Sequence, residues 1–406
     1  VPRDPSRAAA RPRPSGRAGG GGGGGLGTRV AAGTVAALVG FLSAFAVVLD
    51  GLRSVGATPA QAASGLLAVT VAMGAATVVL ALRTRVPVTV AWSTPGAALL
   101  AGTGAAAGGW AQAVGGFLVC GVLLAATGLV GPLERAVRRI PVPVAQAMLA
   151  GVLLPLCLRP VTAVVDAPAL VGPVVLVWLL AMRLAPRWAA PAAIALAVAL
   201  ALTSPEVRAL DAAALRPDLA PTVPAFGVAS LVSVAVPLYV VTMASQNIPG
   251  VAVLAGLGYT APLRPSLVVT GAGTVLAAPF GGHAINLAAI SAALAAGPDA
   301  GPDTSRRWQA AVTTGVGYLV LGVCSAAAAA VALAAPGGLV AAAAGLALVG
   351  TLAASVGGAF AHERDRVPAA VTLLVTVSGV SVAGVSAAFW GLLAGVVTHL
   401  VLRRRG

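Results

Sequence analysis

Val86-Pro-Val-Thr-Val-Ala-Trp-Ser-Thr-Pro-Gly96 and Val275-Leu-Ala-Ala-Pro-Phe-Gly-Gly-His-Ala-Ile-Asn286 decide how this chain folds. Both lie in apolar surroundings and both are broken by proline or glycine. Each reads as a short extended piece, a break and then a half-helix. In the first, Ser93 or Thr94 can cap a helix whose first turn holds Pro95, because proline needs no donor there and fixes a helical φ. In the second, Gly281 and Gly282 permit close backbone approach ahead of a helix expected to contain Asn286. Irregular backbone in lipid leaves N–H groups that cost several kcal/mol each unless protein, water or a ligand completes them.

The composition names the solvent around these breaks. Of 406 residues, 59% are hydrophobic and 9% charged, against roughly 25% charged in a soluble domain. A mean hydropathy of +0.98, with 25 basic and 11 acidic residues, excludes a soluble enzyme, a nucleic-acid module and a disordered chain. Membrane lipid covers such a surface. All 25 basic residues behind the net charge of +14 are arginine, as a GC-rich coding sequence favours. These arginines cluster between apolar runs, as topology signals do, and form no phosphate-binding face. Cys120, Cys157 and Cys324 lie far apart without metal-ligand spacing and read as buried small hydrophobes. No metal and no cofactor are expected.

Residues 1–28, with five arginines and an unbroken Gly19–Gly25 run, read as a disordered basic tail. The next apolar run is too long for most signal-peptide cores and reads as a first span. Apolar runs follow at 30–50, 60–82, 86–101, 109–131, 142–158, 167–184 and 187–203. The second half adds 226–254, 264–278, 279–296, 308–334, 337–360, 367–380 and 383–402. With the N-terminus in the cytoplasm, only Arg53, Arg159, Arg208 and Arg216 of the 25 arginines fall outside. The polar gap 204–225 divides the fourteen runs evenly. A seven-span unit that repeats must re-enter with opposite orientation. The expected architecture is therefore an all-α polytopic membrane protein with inverted repeats at 29–203 and 226–406 and an extracytoplasmic linker at 204–225. Both termini would be cytoplasmic. Breaks at corresponding positions, in the third and tenth spans, point to a substrate site at the midplane.

Two half-helix N-termini meeting there would offer unpaired N–H groups and about half a positive charge each. That favours an anion without an arginine in the membrane. Trp92, Phe280, Phe45 and Tyr239 are candidate walls. A small carboxylate with an apolar or aromatic body fits, and periodicity alone leaves a nucleobase or an inorganic anion open. Thr242-Met-Ala-Ser-Gln-Asn-Ile-Pro-Gly250 brings Gln246 and Asn247, whose amides can serve a ligand, an unwound backbone or a neighbouring helix. His283 is the one histidine deep in the chain and a proton-coupling candidate. Asp50 is the other, although its place near Arg53 reads first as an exterior ion pair. His362 and His399 read as interfacial. Glu134 with Arg138, and Glu363 and Asp365 among Arg364 and Arg366, read as solvated loop charges. No span holds paired carboxylates, and zincin, P-loop and nucleophile-elbow patterns are absent, so no catalytic residue is expected.

Ala91-Trp-Ser-Thr-Pro-Gly-Ala-Ala-Leu-Leu100, Met243-Ala-Ser-Gln-Asn-Ile-Pro-Gly-Val-Ala-Val253 and Ala278-Pro-Phe-Gly-Gly-His-Ala-Ile-Asn-Leu-Ala-Ala-Ile290 closely resemble the benzoate–proton symporter (BenE-type) family. Ala147-Met-Leu-Ala-Gly-Val-Leu153 and Ser386-Ala-Ala-Phe-Trp-Gly-Leu392 add to the likeness, which spans residues 30–402. The resemblance implies proton-driven uptake of benzoate or a related aromatic carboxylate across a bacterial inner membrane. It also implies kinship with nucleobase, ascorbate and sulfate transporters. Their fold would divide this chain into core spans at 29–131 and 226–334 and gate spans at 141–203 and 337–403, moving against each other in an elevator-like or rocking cycle. A homodimer through the gate spans is implied by the same likeness.

The broken spans and the family resemblance point to the same substrate site. From the third span it takes Trp92, Ser93, Thr94, Pro95 and Gly96, and from the eighth Ser245, Gln246 and Asn247. The tenth supplies Phe280, Gly281, Gly282, His283, Ala284 and Asn286. The nucleobase carriers have glutamates where this chain aligns near Gln246 and His283. An amide cannot carry the coupling proton, so His283, the substrate or water would. The expected partners are a small aromatic carboxylate, a proton and membrane lipid, with no nucleic acid. A nucleobase-type proton symporter and a passive anion channel are the rivals. No soluble domain is expected after Arg405, which counts against a sulfate-type carrier.

Overall fold

The computed structural model describes residues 25–130, 141–211, 215–336, 338–380, 382 and 387–403. The expected tail through residue 24, the pair Glu134 and Arg138, and Ser386 lie outside the described residues. The first helix starts at Leu26, so residues 26–28 are helical where a disordered tail was expected. α1 (Leu26–Leu42) and α2 (Phe45–Ser54) are separated by a break at Ser43 and Ala44. α3 (Pro59–Thr84) opens on a capping box. Thr58 Oγ1 accepts from Gln61 N at 3.2 Å, Gln61 Oε1 accepts from Thr58 N at 2.9 Å, and Pro59 occupies the first turn. Next come β1 (Val90–Trp92), α4 (Thr94–Thr103), α5 (Trp110–Leu129), α6 (Val142–Asp166), α7 (Pro168–Leu184) and α8 (Ala189–Ala201).

The second half contains α9 (Val228–Gly256), α10 (Leu263–Ala277), β2 (Ile285–Leu287) and α11 (Ile290–Ala296). α12 (Trp308–Val323), α13 (Ser325–Ala334), α14 (Leu339–Phe360), α15 (Arg366–Val377) and α16 (Ala387–Arg403) complete it. Among the described residues six helices are long and apolar enough to cross a membrane, or seven if α12 and α13 form one bent span. This is a mostly helical, multi-pass membrane protein.

Several local expectations change. The run 308–334 is not one rod but bends by 55° at Cys324, which is exposed at the bend and not buried. Cys120 is buried and Cys157 half-buried. α6 continues past 158 to Asp166 with Pro155 and Pro160 inside it, so Arg159 is a helix residue. Asp365 is not solvated: it is 8% exposed, and its Oδ1 lies 3.1 Å from His399 Nδ1, which ties the end of α16 to the start of α15.

Small residues set the packing. A Cβ added to Gly33 of α1 would meet Ala310 O of α12 at 2.4 Å, and one on Gly51 of α2 would meet Ala97 O of α4 at 2.3 Å. In lipid there is no hydrophobic drive between helices, so such close backbone approach supplies the attraction. α3 packs along α12 and α5 along α10, while α6 packs along α14 and α15 along α16. The stretch 215–225 is laced to α3, to α5 and to the turn after α10. Ala220 N donates to Ser64 Oγ at 2.9 Å, Thr222 N to Pro279 O at 2.7 Å, and Ala225 N to Ala111 O at 2.9 Å.

Candidate functional site

The two interrupted stretches meet as a short antiparallel ribbon. Val90 lies opposite Leu287, Ala91 opposite Asn286, and Trp92 opposite Ile285. Ser93 N donates to Ala284 O at 2.8 Å and Ala288 N to Thr89 O at 2.9 Å, extending the ladder equally at both ends. The pattern is two-fold about the Ala91–Asn286 pair. Asn286 therefore lies on a strand, not on the helix expected to contain it, and helix resumes only at Ile290. α4 starts at one end of the ribbon and α11 at the other. Their tips flank the ribbon and do not meet tip to tip, as two converging half-helices would.

Hydrogen bonds in an antiparallel ladder alternate between residues that bond across and residues whose N–H turns outward. Because Ser93 and Ala288 bond across, the N–H groups of Val90, Trp92, Ile285 and Leu287 face the outer edges. Val90 N donates to Thr77 Oγ1 of α3 at 2.9 Å, and Ile285 N to Thr274 Oγ1 of α10 at 3.1 Å. These two bonds are related by the ribbon's two-fold. Leu287 N donates to Asn247 Oδ1 at 2.9 Å. Its symmetry mate, Trp92 N–H, has no protein acceptor among the described residues, although Trp92 is only 2% exposed. A buried donor left unpaired costs about 1–3 kcal/mol, so this is the open position of the ribbon.

Aromatic rings border it. The Trp92 ring lies 5.4 Å from Phe41, which stacks on Phe45 at 5.7 Å across the α1–α2 break. Ser93, not Thr94, is the α4 cap: its Oγ accepts from Gly96 N at 3.1 Å and from Thr242 Oγ1 of α9 at 2.9 Å. Pro95 has no N–H. Thr94 N–H is thus the first-turn donor left without a partner among the described residues. Gly96 abuts α9, where a Cβ would meet Leu238 Cδ1 at 2.4 Å.

His283 lies against the same turn. Its Nε2 is 3.2 Å from Ser93 O, so Nε2 carries the hydrogen in the neutral ring and Nδ1 presents a lone pair. Nδ1 is buried with no partner, as is Asn286 Oδ1, while Asn286 Nδ2 donates to Leu287 O at 2.8 Å. The His283 ring meets Phe117 of α5 edge-on at 6.5 Å. Gly281 needs to be glycine, with φ +87° and a would-be Cβ 2.8 Å from the Trp110 ring. Ala284 and Phe280 contribute carbonyls here, the latter accepting from Ser64 Oγ at 2.8 Å.

α9 widens at Leu231–Ala235 and Met243–Asn247, each two residues before a proline that lacks an N–H, Pro237 and Pro249. The second wide turn aims Asn247 at the ribbon. Its amide is engaged by Leu287 N and by Met243 Sδ at 3.3 Å, so it serves backbone here. Ser245 Oγ donates to Val241 O at 2.7 Å. Gln246 is half-buried beside them. Tyr239 is tied through its hydroxyl to Thr127 of α5. Asp50 pairs with Arg159 Nη1 at 2.9 Å and not with Arg53, which donates to Ala57 O. Thr77, Thr274, Thr242 and Phe117 were not singled out from sequence. Phe41 could have been, since it lies four residues before Phe45.

A family profile described as benzoate membrane transport protein matches residues 27–401. The chain is 40% identical over 373 residues to the inner membrane protein YdcO of Escherichia coli (strain K12), covering 91% of this chain and 95% of that one. It is 30% identical over 375 residues to the benzoate membrane transport protein of Acinetobacter baylyi, covering 91% and 94%. Its fold is similar to the transmembrane domain of a cyanobacterium bicarbonate transporter, BicA, with a TM-score of 0.56, 17% identity, and coverage of 91% and 97%.

Proposed function

The chain belongs to the benzoate membrane transport protein family, and from that premise we propose that it carries benzoate or a related aromatic carboxylate across the membrane together with a proton. It is a multi-pass membrane transporter and not an enzyme. The observation that carries the substrate assignment is the open edge of the ribbon. Trp92 N–H and Thr94 N–H lie at the positive start of α4, beside the paired rings of Phe41 and Phe45. A carboxylate oxygen satisfies such donors, and the ring of the same molecule covers the aromatic wall.

Proton coupling follows from charge. A lone carboxylate crossing the hydrocarbon is costly, and a carboxylate with a proton is neutral. His283 Nδ1 offers the lone pair, and Nε2 stays anchored on Ser93 O. Gln246 and Asn247 contact the substrate only if the wide turn of α9 moves. We read the two-fold pattern of Thr77 and Thr274 as the mark of inverted repeats, and with it propose seven plus seven spans and alternating access of core against gate. Trp92, Ser93, His283 and Asn286 are buried, the arrangement of a closed site.

Reconstituted liposomes with an imposed inward proton gradient test this, with protein-free liposomes setting the background because neutral benzoic acid itself crosses lipid. Labelled benzoate should accumulate above that background, and unlabelled benzoate should compete where benzamide and uracil do not. Equilibration without accumulation would identify a channel, and competition by uracil a nucleobase carrier.

A further inference from the structure

The Asp50–Arg159 pair lies outside the ribbon site and joins α2, which packs on α4 and α3, to α6. Asp50 is on α2 and Arg159 on α6, with Oδ2 and Nη1 2.9 Å apart and the side chains 31% and 42% exposed. α14 packs against both helices. A water-sized cavity of about 10 Å³ lies at the pair, walled by Val47, Leu156, Ala344 and Leu348. Arg53, the cation nearest to Asp50 in sequence, is turned to Ala57 O instead. The partner of Asp50 is therefore across the boundary and not on its own helix.

We propose that this ion pair is the outer closure between core and gate, and that Arg159 is the cation for which an arriving carboxylate competes with Asp50. This rests on the transporter reading above. The arginine distribution puts Arg159 on the outer side. The pair is made here while the ribbon residues are buried, so closure and contact coincide. A seam of apolar residues alone would have no charge to exchange when it opened. A half-exposed ion pair shifts an equilibrium by only about 2- to 5-fold, weak enough for a substrate carboxylate, chemically the same group as Asp50, to replace it. Opening exchanges one carboxylate on Arg159 for another and leaves Asp50, already 31% exposed, to water.

A single cysteine at Val47, which is 2% exposed, reports the opening once Cys120, Cys157 and Cys324 are replaced by serine. Labelling by a membrane-impermeant maleimide is followed in right-side-out and inverted vesicles without benzoate. Asp50→Asn and Arg159→Gln should each speed labelling from the outer side about 2- to 5-fold, and the exchanged pair Asp50→Arg with Arg159→Asp should bring the rate back. In uptake, the half-saturating benzoate concentration should rise with Arg159→Gln and not with Asp50→Asn. Unchanged labelling in both single variants, equal acceleration from both sides, or no recovery in the exchanged pair overturns the closure. An equal rise in half-saturation for both variants overturns the role of Arg159. Labelling needs no benzoate, so its outcome is independent of whether wild-type protein takes up benzoate, the result on which the transporter reading stands.

Discussion

Replacing Thr77 by valine removes one oxygen and keeps the shape of the side chain. Thr77 Oγ1 accepts from Val90 N at 2.9 Å and donates to Met73 O at 2.7 Å. Thr70, two turns earlier on the same helix and equally buried, bonds only to Leu66 O within its own helix at 2.6 Å. In Thr77→Val the ribbon N–H of Val90 loses its acceptor inside the membrane, which should cost about 1–3 kcal/mol. In Thr70→Val the carbonyl it contacted keeps its helical partner, and the cost should stay below about 0.6 kcal/mol. Thr77→Ser keeps the acceptor and should lose only the packing of one methyl group, about 0.5–1.5 kcal/mol. Thr274→Val should match Thr77→Val to within about 1 kcal/mol, because Ile285 N depends on it in the same way. Equilibrium unfolding in mixed detergent micelles measures all four. Equal losses for Thr77→Val and Thr70→Val would refute the account of how the ribbon is held.

His283→Gln preserves a donor toward Ser93 O but cannot take up a proton; it should abolish gradient-driven accumulation while leaving exchange of labelled for unlabelled benzoate measurable in liposomes. Gly281→Ala forces a side chain onto a φ of +87° and against the Trp110 ring, and should lower stability by about 2–4 kcal/mol, read as a drop in the thermal midpoint. Ser93→Ala removes the α4 cap and the partner of Thr242; it should cost about 0.5–2 kcal/mol by the same unfolding assay, with Ser93→Thr recovering most of it.

Local rules made one half of the site legible and nonlocal pairing hid the other. The Ser93 cap and Pro95 follow from helix-start chemistry acting within three residues. Asn286 has no such marker. Ile285-Asn-Leu287 is apolar on both sides, and only the strand at Val90–Trp92, far away in sequence, makes it extended. Thr77 and Thr274 look like ordinary helix threonines, which commonly bond back to their own helix. Their second bond exists only after the ribbon docks. Asp50 was read with Arg53 because they are neighbours in sequence, whereas the end of α2 turns Arg53 to Ala57 O and leaves Asp50 for Arg159. Asp365 and His399 form a pair for a similar reason, two helix ends meeting in space.

The most direct test is a distance. Protein labelled with ¹⁵N at tryptophan, bound to benzoate labelled with ¹³C at the carboxyl, should show a carbon–nitrogen dipolar contact of about 3.5–4 Å by solid-state NMR, as one N–H···O hydrogen bond requires, and Trp92→Phe should remove it. A bound benzoate with no such contact, or one that survives the Trp92→Phe substitution, would contradict a carboxylate held at the open edge of the ribbon.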